Sequence, residues 1–302
     1  MRIVSLVPSA TEIVCRLGLA DSLVGVSGDC DFPPEIGGVP GLSAPVATPD
    51  LTSAAIDRRI REDVHAGTSV YHLDAAALAR ADPTLILTQE LCSVCAPSFT
   101  TVRRAARMLD APARIVSLEP TSLADVLDNI QLVADLSGVA ERGRAVVAAL
   151  RARVDAVAAA AGPLRSRVAV LEWTDPIFAG GHWVPDMVAA AGGFDVLGVA
   201  GRPSTRVTWD AVRDARPEVL IVAPCGFHLA RARREIALLA RRPGWRDLPA
   251  VSRGQVYVVD ASSYFNRPGP RVIDGLEILS SVLHGRVDGD ALPAGAVERW
   301  SA

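Results

Sequence analysis

The sequence predicts an α/β fold of two lobes bridged by one long helix, and three observations predict it. First, Arg142–Ala161 is alanine-rich and of helix length, with Val146, Leu150, Val154 and Val157 spaced by four, four and three so that they form one stripe. At the usual rise this helix would span roughly 30 Å, the width of a small domain. Second, short β-branched runs alternate with amphipathic stretches on both sides of it, the pattern of strands alternating with helices. Third, each side is of ordinary domain size. The 302 residues therefore divide into a lobe over 1–121, linking helices over 122–161, a second lobe over 162–285 and a tail over 286–302. A rigid helix between two lobes implies a cleft.

Half of the residues are hydrophobic and 22% are charged, so a normal core can be buried. A net charge of −3 gives no electrostatic case for nucleic acid or an anionic membrane surface, and Arg231, Arg233 and Arg234 read as a solvated face. Pro8, Glu12 and Arg16 interrupt any signal-peptide core in MRIVSLVPSATEIV, and no apolar run is long enough to span a bilayer. The expectation is a cytoplasmic protein without membrane insertion; a start further upstream would place it in the periplasm or at the cell surface. The odd and unevenly spaced cysteines, Cys15, Cys30, Cys92, Cys95 and Cys225, agree with a reducing compartment.

Along the chain, Ile3–Leu6 reads as a buried strand and Val7-Pro8-Ser9 as the turn into a helix that ends at Gly18, with Ser9 and Glu12 in a capping-box pattern. Such a strand end is where open α/β sheets bind ligands. Leu23–Val26 is the next strand, followed by the proline-locked loop Asp29–Pro34. Ser53–Ala66 carries Ile56, Ile60 and Val64 on one face and ends at Gly67. Ala75–Ala81 is a short helix, Thr84–Leu87 a strand, QELCSVCAPS (Gln89–Ser98) a polar loop, and Arg114–Val116 a strand. Ser122 with Asp125 caps a helix that runs through Leu136 to Gly138. In the second lobe, Val168–Leu171, Val219–Val222 and Val256–Val259 read as strands. Val184–Ala191, Thr208–Asp214, Glu235–Ala240 and Pro270–Leu283 read as helices, Glu172–Trp183 as a long aromatic loop, and everything past Gly285 as a loosely held tail.

Only 5% of the residues are aromatic, yet Trp173, Phe178 and Trp183 crowd one loop and Tyr264 and Phe265 share another. A flat apolar ligand would use them as a platform, whereas a core plug is the competing reading, strongest for Trp173. Cys92 and Cys95 form a lone CxxC without the further ligands that zinc needs, so two thiols without chemistry are favoured over a metal or redox pair. No phosphate-binding loop, dinucleotide fingerprint, nucleophile elbow or HExxH is present, and of the five histidines only His182 lies in the aromatic loop. The residues argue for holding a ligand rather than converting one.

The segments IVSLVPSATEIVCRLGL, DCDFPPEI, ALARADPTLIL, DPIFAGGHWVPDMVAAAGG, RVTWDAVRDARPEVLIV and SSYFNRPGPRVIDGL come in an order that resembles the vitamin B12-binding proteins of ABC importers. These belong to the helical-backbone metal-receptor superfamily, class III periplasmic-binding-protein-like, which also carries siderophores and haem. The resemblance runs from Arg2 to about Leu283 and implies two Rossmann-like α/β lobes, no enzymatic activity and no intrinsic cofactor, with a small metal chelate, cobalamin or a related corrinoid, held in the cleft. It places ligand contacts at Pro8, Ser9, Phe32, Val70 or Tyr71, and Gln89 in the first lobe. In the second they fall at Trp173, Phe178, Trp183, the Arg202–Thr205 turn with Arg202 and Ser204, and Tyr264, Phe265 and Arg267.

Three departures from that pattern stand out: the export signal is missing, the Leu51–Tyr71 insertion and the QELCSVCAPS loop have no counterpart, and Ser98–Thr101 stands where an acidic residue would dock to a permease. They point to a cytoplasmic carrier that has lost its ABC permease. Two further readings are a ferric-siderophore or haem carrier, and an enzyme that processes a metal chelate through Cys92 and Cys95.

Overall fold

A computed structural model describes residues 1–45, 51–65, 71–90, 99–107, 109, 112–162, 166–287 and 292–301. Gly67, Val70, Cys92, Cys95 and the rest of the 91–98 loop lie outside the described residues. The chain forms two units, Met1–Pro120 with Leu127–Ala148 and Thr121–Val126 with Ala149–Ala302. Among the described residues no helix is long and apolar enough to cross a membrane.

The first unit begins with β1 (Ile3–Ser5), α1 (Pro8–Arg16), β2 (Leu23–Ser27), β3 (Gly41–Pro45), α2 (Ser53–His65) and β4 (Tyr71–Leu73). It continues with α3 (Ala75–Ala81), β5 (Leu85–Thr88), α4 (Phe99–Ala106), β6 (Arg114–Ser117), α5 (Leu123–Leu136) and α6 (Ala140–Ala161). Its sheet runs β4-β3-β2-β1-β5-β6, parallel apart from the antiparallel pairing of β3 with β4. Val4, Leu6, Leu78, Ile86 and Val102 form one buried cluster on this sheet, each side chain contributing about 1.5–3 kcal/mol by leaving water.

The helix starts follow local chemistry. Ser9 does not cap α1: the helix opens two residues earlier than that cap would place it, with Pro8 at its first position, Val7 as N-cap and Ser9 buried in the first turn. Proline needs no N–H partner there and its φ is already helical, so it sets the start. Gly18, at φ +67°, ends the helix, and Arg142 donates to the carbonyl of Leu17 at 2.6 Å. At α5 the expected box is present: the Asp125 N–H donates to Ser122 Oγ at 3.1 Å and the Ser122 N–H donates to Asp125 Oδ2 at 2.9 Å. In α6, Leu150 is fully buried and Val146, Val154 and Val157 are half-buried along one stripe. The division between the units falls inside α5 and α6.

The second unit continues with β7 (Ser166–Thr174), β8 (Ile177–Ala179), α7 (Val184–Ala190), β9 (Gly193–Asp195), α8 (Trp209–Asp214) and β10 (Val219–Val222). Then come α9 (Leu229–Leu239), α10 (Pro249–Ser252), β11 (Val256–Val259), α11 (Ala261–Tyr264), α12 (Val272–Leu283) and β12 (Val297–Arg299). The sheet order is β12-β11-β10-β7-β8, with β9 also on β7.

Two expectations are corrected here. The aromatic stretch is not a loop: β7 runs on to Thr174, turns at Asp175-Pro176 and returns as β8, pairing Trp173 with Phe178. Proline at a two-residue turn costs the ladder no hydrogen bond, so the hairpin closes around it. Nor is the whole tail loose. β12 pairs antiparallel with β11, Ala296 is buried, and the Trp300 ring meets Trp245 edge-on at 5.5 Å. The short strands β3, β4 and β9, and the helix α4, were not anticipated.

Candidate functional site

Each sheet gathers polar and aromatic side chains beyond the carboxyl ends of its parallel strands, where such sheets bind ligands. In the first unit the turn after β1 carries a hydroxyl chain. Thr11 Oγ1 donates to Ser5 Oγ at 2.8 Å, Ser5 Oγ donates to the Val7 carbonyl at 3.0 Å, and Thr11 Oγ1 lies 3.1 Å from Cys30 Sγ. Beside it Ser43 Oγ donates to Ser27 Oγ at 3.1 Å. Pro8 is half-buried at the start of α1, and Phe32, next to a cis proline bond, is 39% exposed. Tyr71 is half-buried, and its hydroxyl donates to Asp29 Oδ2 at 2.6 Å, which ties β4 to the loop holding Phe32. Gln89 is buried directly after Thr88, whose buried Oγ1 has no hydrogen-bond partner. At the end of β6, Ser117 and the Glu90 N–H both donate to Glu119.

In the second unit, Trp173 lies 5.1 Å from the ring of Phe227, and the Arg231 guanidinium sits 3.9 Å from the centre of that same ring. Phe178 is half-buried on β8 and bridges to Arg206. Glu172, one residue before Trp173, accepts from the Gly181 N–H at 3.2 Å and from Ser204 Oγ. Arg202 is exposed, and its carbonyl accepts from the His182 N–H at 2.6 Å. Tyr264 is half-buried with Arg271 5.8 Å from its ring centre, and Arg267 is half-buried beside it in sequence.

Two of the expected contact residues belong to packing instead. Trp183 is 6% and Phe265 0% exposed, and the Trp183 indole N–H donates to the Phe265 carbonyl at 2.8 Å, so neither ring face is available for stacking. They lock the α7 start against the α11 end and so hold Tyr264 and Arg267 in place. Gly275 allows the close packing of α12 beneath them: a side chain there would collide with the Tyr264 carbonyl.

The sequence reading missed Ser5, Thr11, Glu172, Phe227, His228 and Asp260. The signal for the last two was available: Asp260 directly follows the strand Val256–Val259, and Phe227-His228 lies in the loop after Val219–Val222.

Burial sets the ionisation of two further groups. Desolvation raises the carboxyl of Asp195 above its ordinary range, against the N–H bonds it accepts from Gly198 and Leu197. Burial also pushes the Cys15 thiol up to about 11, helped by the charges of Glu35 and Glu12, which keeps it protonated and unreactive. No disulfide joins Cys15, Cys30 and Cys225 to one another. Among the described residues no group of three His, Cys, Asp or Glu side chains is placed to hold a metal ion.

A two-sheet α/β architecture with polar and aromatic strand ends defines a solute-binding class of protein. The chain belongs to the periplasmic binding protein family, whose model matches residues 3–262. It is 24% identical over 289 residues to the vitamin B12-binding protein of Vibrio cholerae, covering 93% of this chain and 88% of the relative. The solved periplasmic vitamin B12-binding protein BtuF of Vibrio cholerae superposes with TM-score 0.67 at 22% identity, covering 95% of this chain and 98% of that one. A periplasmic heme-binding protein from Pseudomonas aeruginosa superposes with TM-score 0.72 at 20% identity, covering 100% and 98%. These likenesses establish the fold. The chain is a substrate-binding protein rather than an enzyme, and the expectation of a cytoplasmic place finds no support in a family of periplasmic proteins.

Proposed function

We propose that this protein binds cobalamin or a closely related corrinoid through residues at its strand ends, and works outside the cytoplasm as the substrate-binding component of an ABC importer. The observation that carries the ligand class is the charge of the first unit's strand ends. The described residues of the loops after β1, β2, β5 and β6 offer hydroxyls and the carboxylates Asp29, Asp31, Glu35, Glu90 and Glu119, but no arginine or lysine. A poly-anionic chelate would meet repulsion there, whereas a corrin fringed with neutral amides would find acceptors. The half-buried rings of Phe178, Trp173 and Tyr264 supply apolar area in the second unit.

The test is a calorimetric titration with cyanocobalamin. Binding should be micromolar or tighter, and Phe178→Ala and Tyr264→Ala should each weaken it by about 1–3 kcal/mol, the scale of a stacking anchor. Parent-like affinity in both variants would show that the site lies elsewhere. A second reading, haem or a ferric siderophore, draws on Arg202, Arg231, Arg267 and Arg271 near the second unit's strand ends. A Soret band in the purified protein would favour haem.

A further inference from the structure

Helix α9 and the turns after it, residues 229–246, carry six arginines and a single acid, Glu235, in a chain whose net charge is −3. Glu235 is buried and accepts from Thr174 Oγ1, so it adds nothing to the outer face. Three of the arginines are engaged within the chain. Arg231 lies over the Phe227 ring, Arg242 reaches Asp175 at 3.7 Å, and Arg233 reaches Glu298 at 3.4 Å with its side chain still 59% exposed. Arg234, Arg241 and Arg246 are exposed, and among the described residues none of their guanidinium groups has an ion-pair or hydrogen-bond partner. Arg59, Arg144 and Arg213 show the ordinary arrangement: each reaches an acid three or four residues away, Asp63, Glu141 and Asp210. Around Arg233 and Arg234 those places hold alanine, leucine, isoleucine or another arginine, so the charge is left to solvent.

Burial fixes which way this face points. Ala232, Glu235, Ile236 and Leu239 are buried, while Ala230, Arg233, Arg234, Ala237 and Leu238 are exposed. Ala230, Arg234 and Ala237 follow one another at steps of four and three along one line of the helix, with Arg233 on one flank and Leu238, 48% exposed, on the other. Arg241 prolongs the line in the closing turn, where its N–H donates to the Leu238 carbonyl at 3.2 Å, and Arg246 follows in the turn Trp245–Asp247. Counting Asp247 and Glu298 against these arginines leaves the face positive. The chain's negative total conceals it, yet exposed charges further off than about 8 Å are screened at physiological salt.

We propose that the α9 face holds the protein against a bilayer surface rich in anionic phospholipid, through Arg233, Arg234, Arg241 and Arg246 with Leu238 at the interface. Guanidinium forks match phosphate oxygens, and four arginines on and just after an amphipathic helix are a cluster of the size that anionic bilayers hold. The alanines between them keep the face low in relief, as a plane of headgroups requires, and Leu238 supplies one apolar side chain that can enter the boundary of the acyl chains. Attachment is peripheral and reversible, and it keeps a solute carrier beside the membrane it serves.

The experiment is co-sedimentation of the whole protein with vesicles of phosphatidylglycerol and phosphatidylcholine in equal parts, and with vesicles of phosphatidylcholine alone. The expected result is binding to the first and not to the second, lost as salt rises from about 0.15 M to about 1 M. The variant Arg234→Gln/Arg241→Gln/Arg246→Gln should bind at least about tenfold more weakly, with urea unfolding unchanged because no ion pair is lost. Leu238→Gln should weaken binding at constant charge. Removing the same charge elsewhere, by Arg59→Gln/Arg144→Gln/Arg213→Gln, should leave binding at the parental level. No binding to the phosphatidylglycerol vesicles, parental binding by the α9 variant, or an equal loss in both triple variants would overturn the proposal. So would binding to soluble polyglutamate without binding to vesicles, which would assign the face to an acidic protein. None of these measurements needs a chelate, so titration with cyanocobalamin reads the ligand assignment separately.

Discussion

Asp195 shows how a single buried group couples this fold to pH. Its folded carboxyl is raised by desolvation, so above about pH 4 the unfolded chain releases the proton first while the native state retains it. The native state then binds more protons, and stability falls as pH rises toward the raised folded value. The neighbouring turn works in the opposite sense. Burial lowers the His182 imidazole, so as pH falls past about 6.5 the unfolded chain takes up the proton first and stability falls with it. Asp195→Asn keeps an oxygen for the Gly198 and Leu197 N–H groups and removes the ionisation. The variant should be at least as stable as the parent at pH 7–8 and lose the decline above pH 4, read by urea unfolding across pH. An unchanged slope would assign that decline to other groups.

At the scale of the element, capping chemistry decides where helices begin, and two near-identical patterns have different outcomes. Ser122 with Asp125 forms a reciprocal box whose carboxylate is held low, first by the Thr121 N–H. Its contribution is present above about pH 4 and is lost as pH falls below the ordinary aspartate range. Ser9 with Glu12 has the same spacing and forms no box, because Pro8 claims the first helical position. Ser122→Ala should therefore cost about 1 kcal/mol in denaturant unfolding, and a neutral result would mean that Asp125 alone holds the α5 start. Elsewhere an ion-paired arginine does comparable work: Arg153 on α6 reaches Glu277 at 2.8 and 2.7 Å and Asp274 at 2.6 Å on α12. Partial exposure keeps such pairs modest in energy.

On the scale of the whole molecule, both units share one plan, a mainly parallel sheet whose carboxyl edge carries the polar and aromatic side chains. A ligand taken there should stabilise the folded chain by mass action. At a hundred times its dissociation constant, cobalamin should add about 2.7 kcal/mol to unfolding stability, seen as a rise in Tm. Tm unchanged by saturating cobalamin would count against the ligand assignment even if weak heat were seen.

Much of this was legible beforehand. Ala75–Ala81, Val219–Val222 and Val256–Val259 coincide with their elements, and α6 follows the valine and leucine stripe, because periodicity and caps are local properties. The three-residue strands β4 and β9 were not legible, since so few residues carry no period, and β12 exists only because β11 offers it an edge. The site divides in the same way. The sequence by itself determined that aromatic residues crowd two stretches of the second lobe, and it was enough to show the family. Only the tertiary structure decided that Trp183 and Phe265 are packed away, that Trp173 stands on a hairpin, and that His228 and Asp260 meet. The physical reason is range: helix periods and caps are set within a few residues, whereas burial and cross-strand contacts depend on which strands lie side by side.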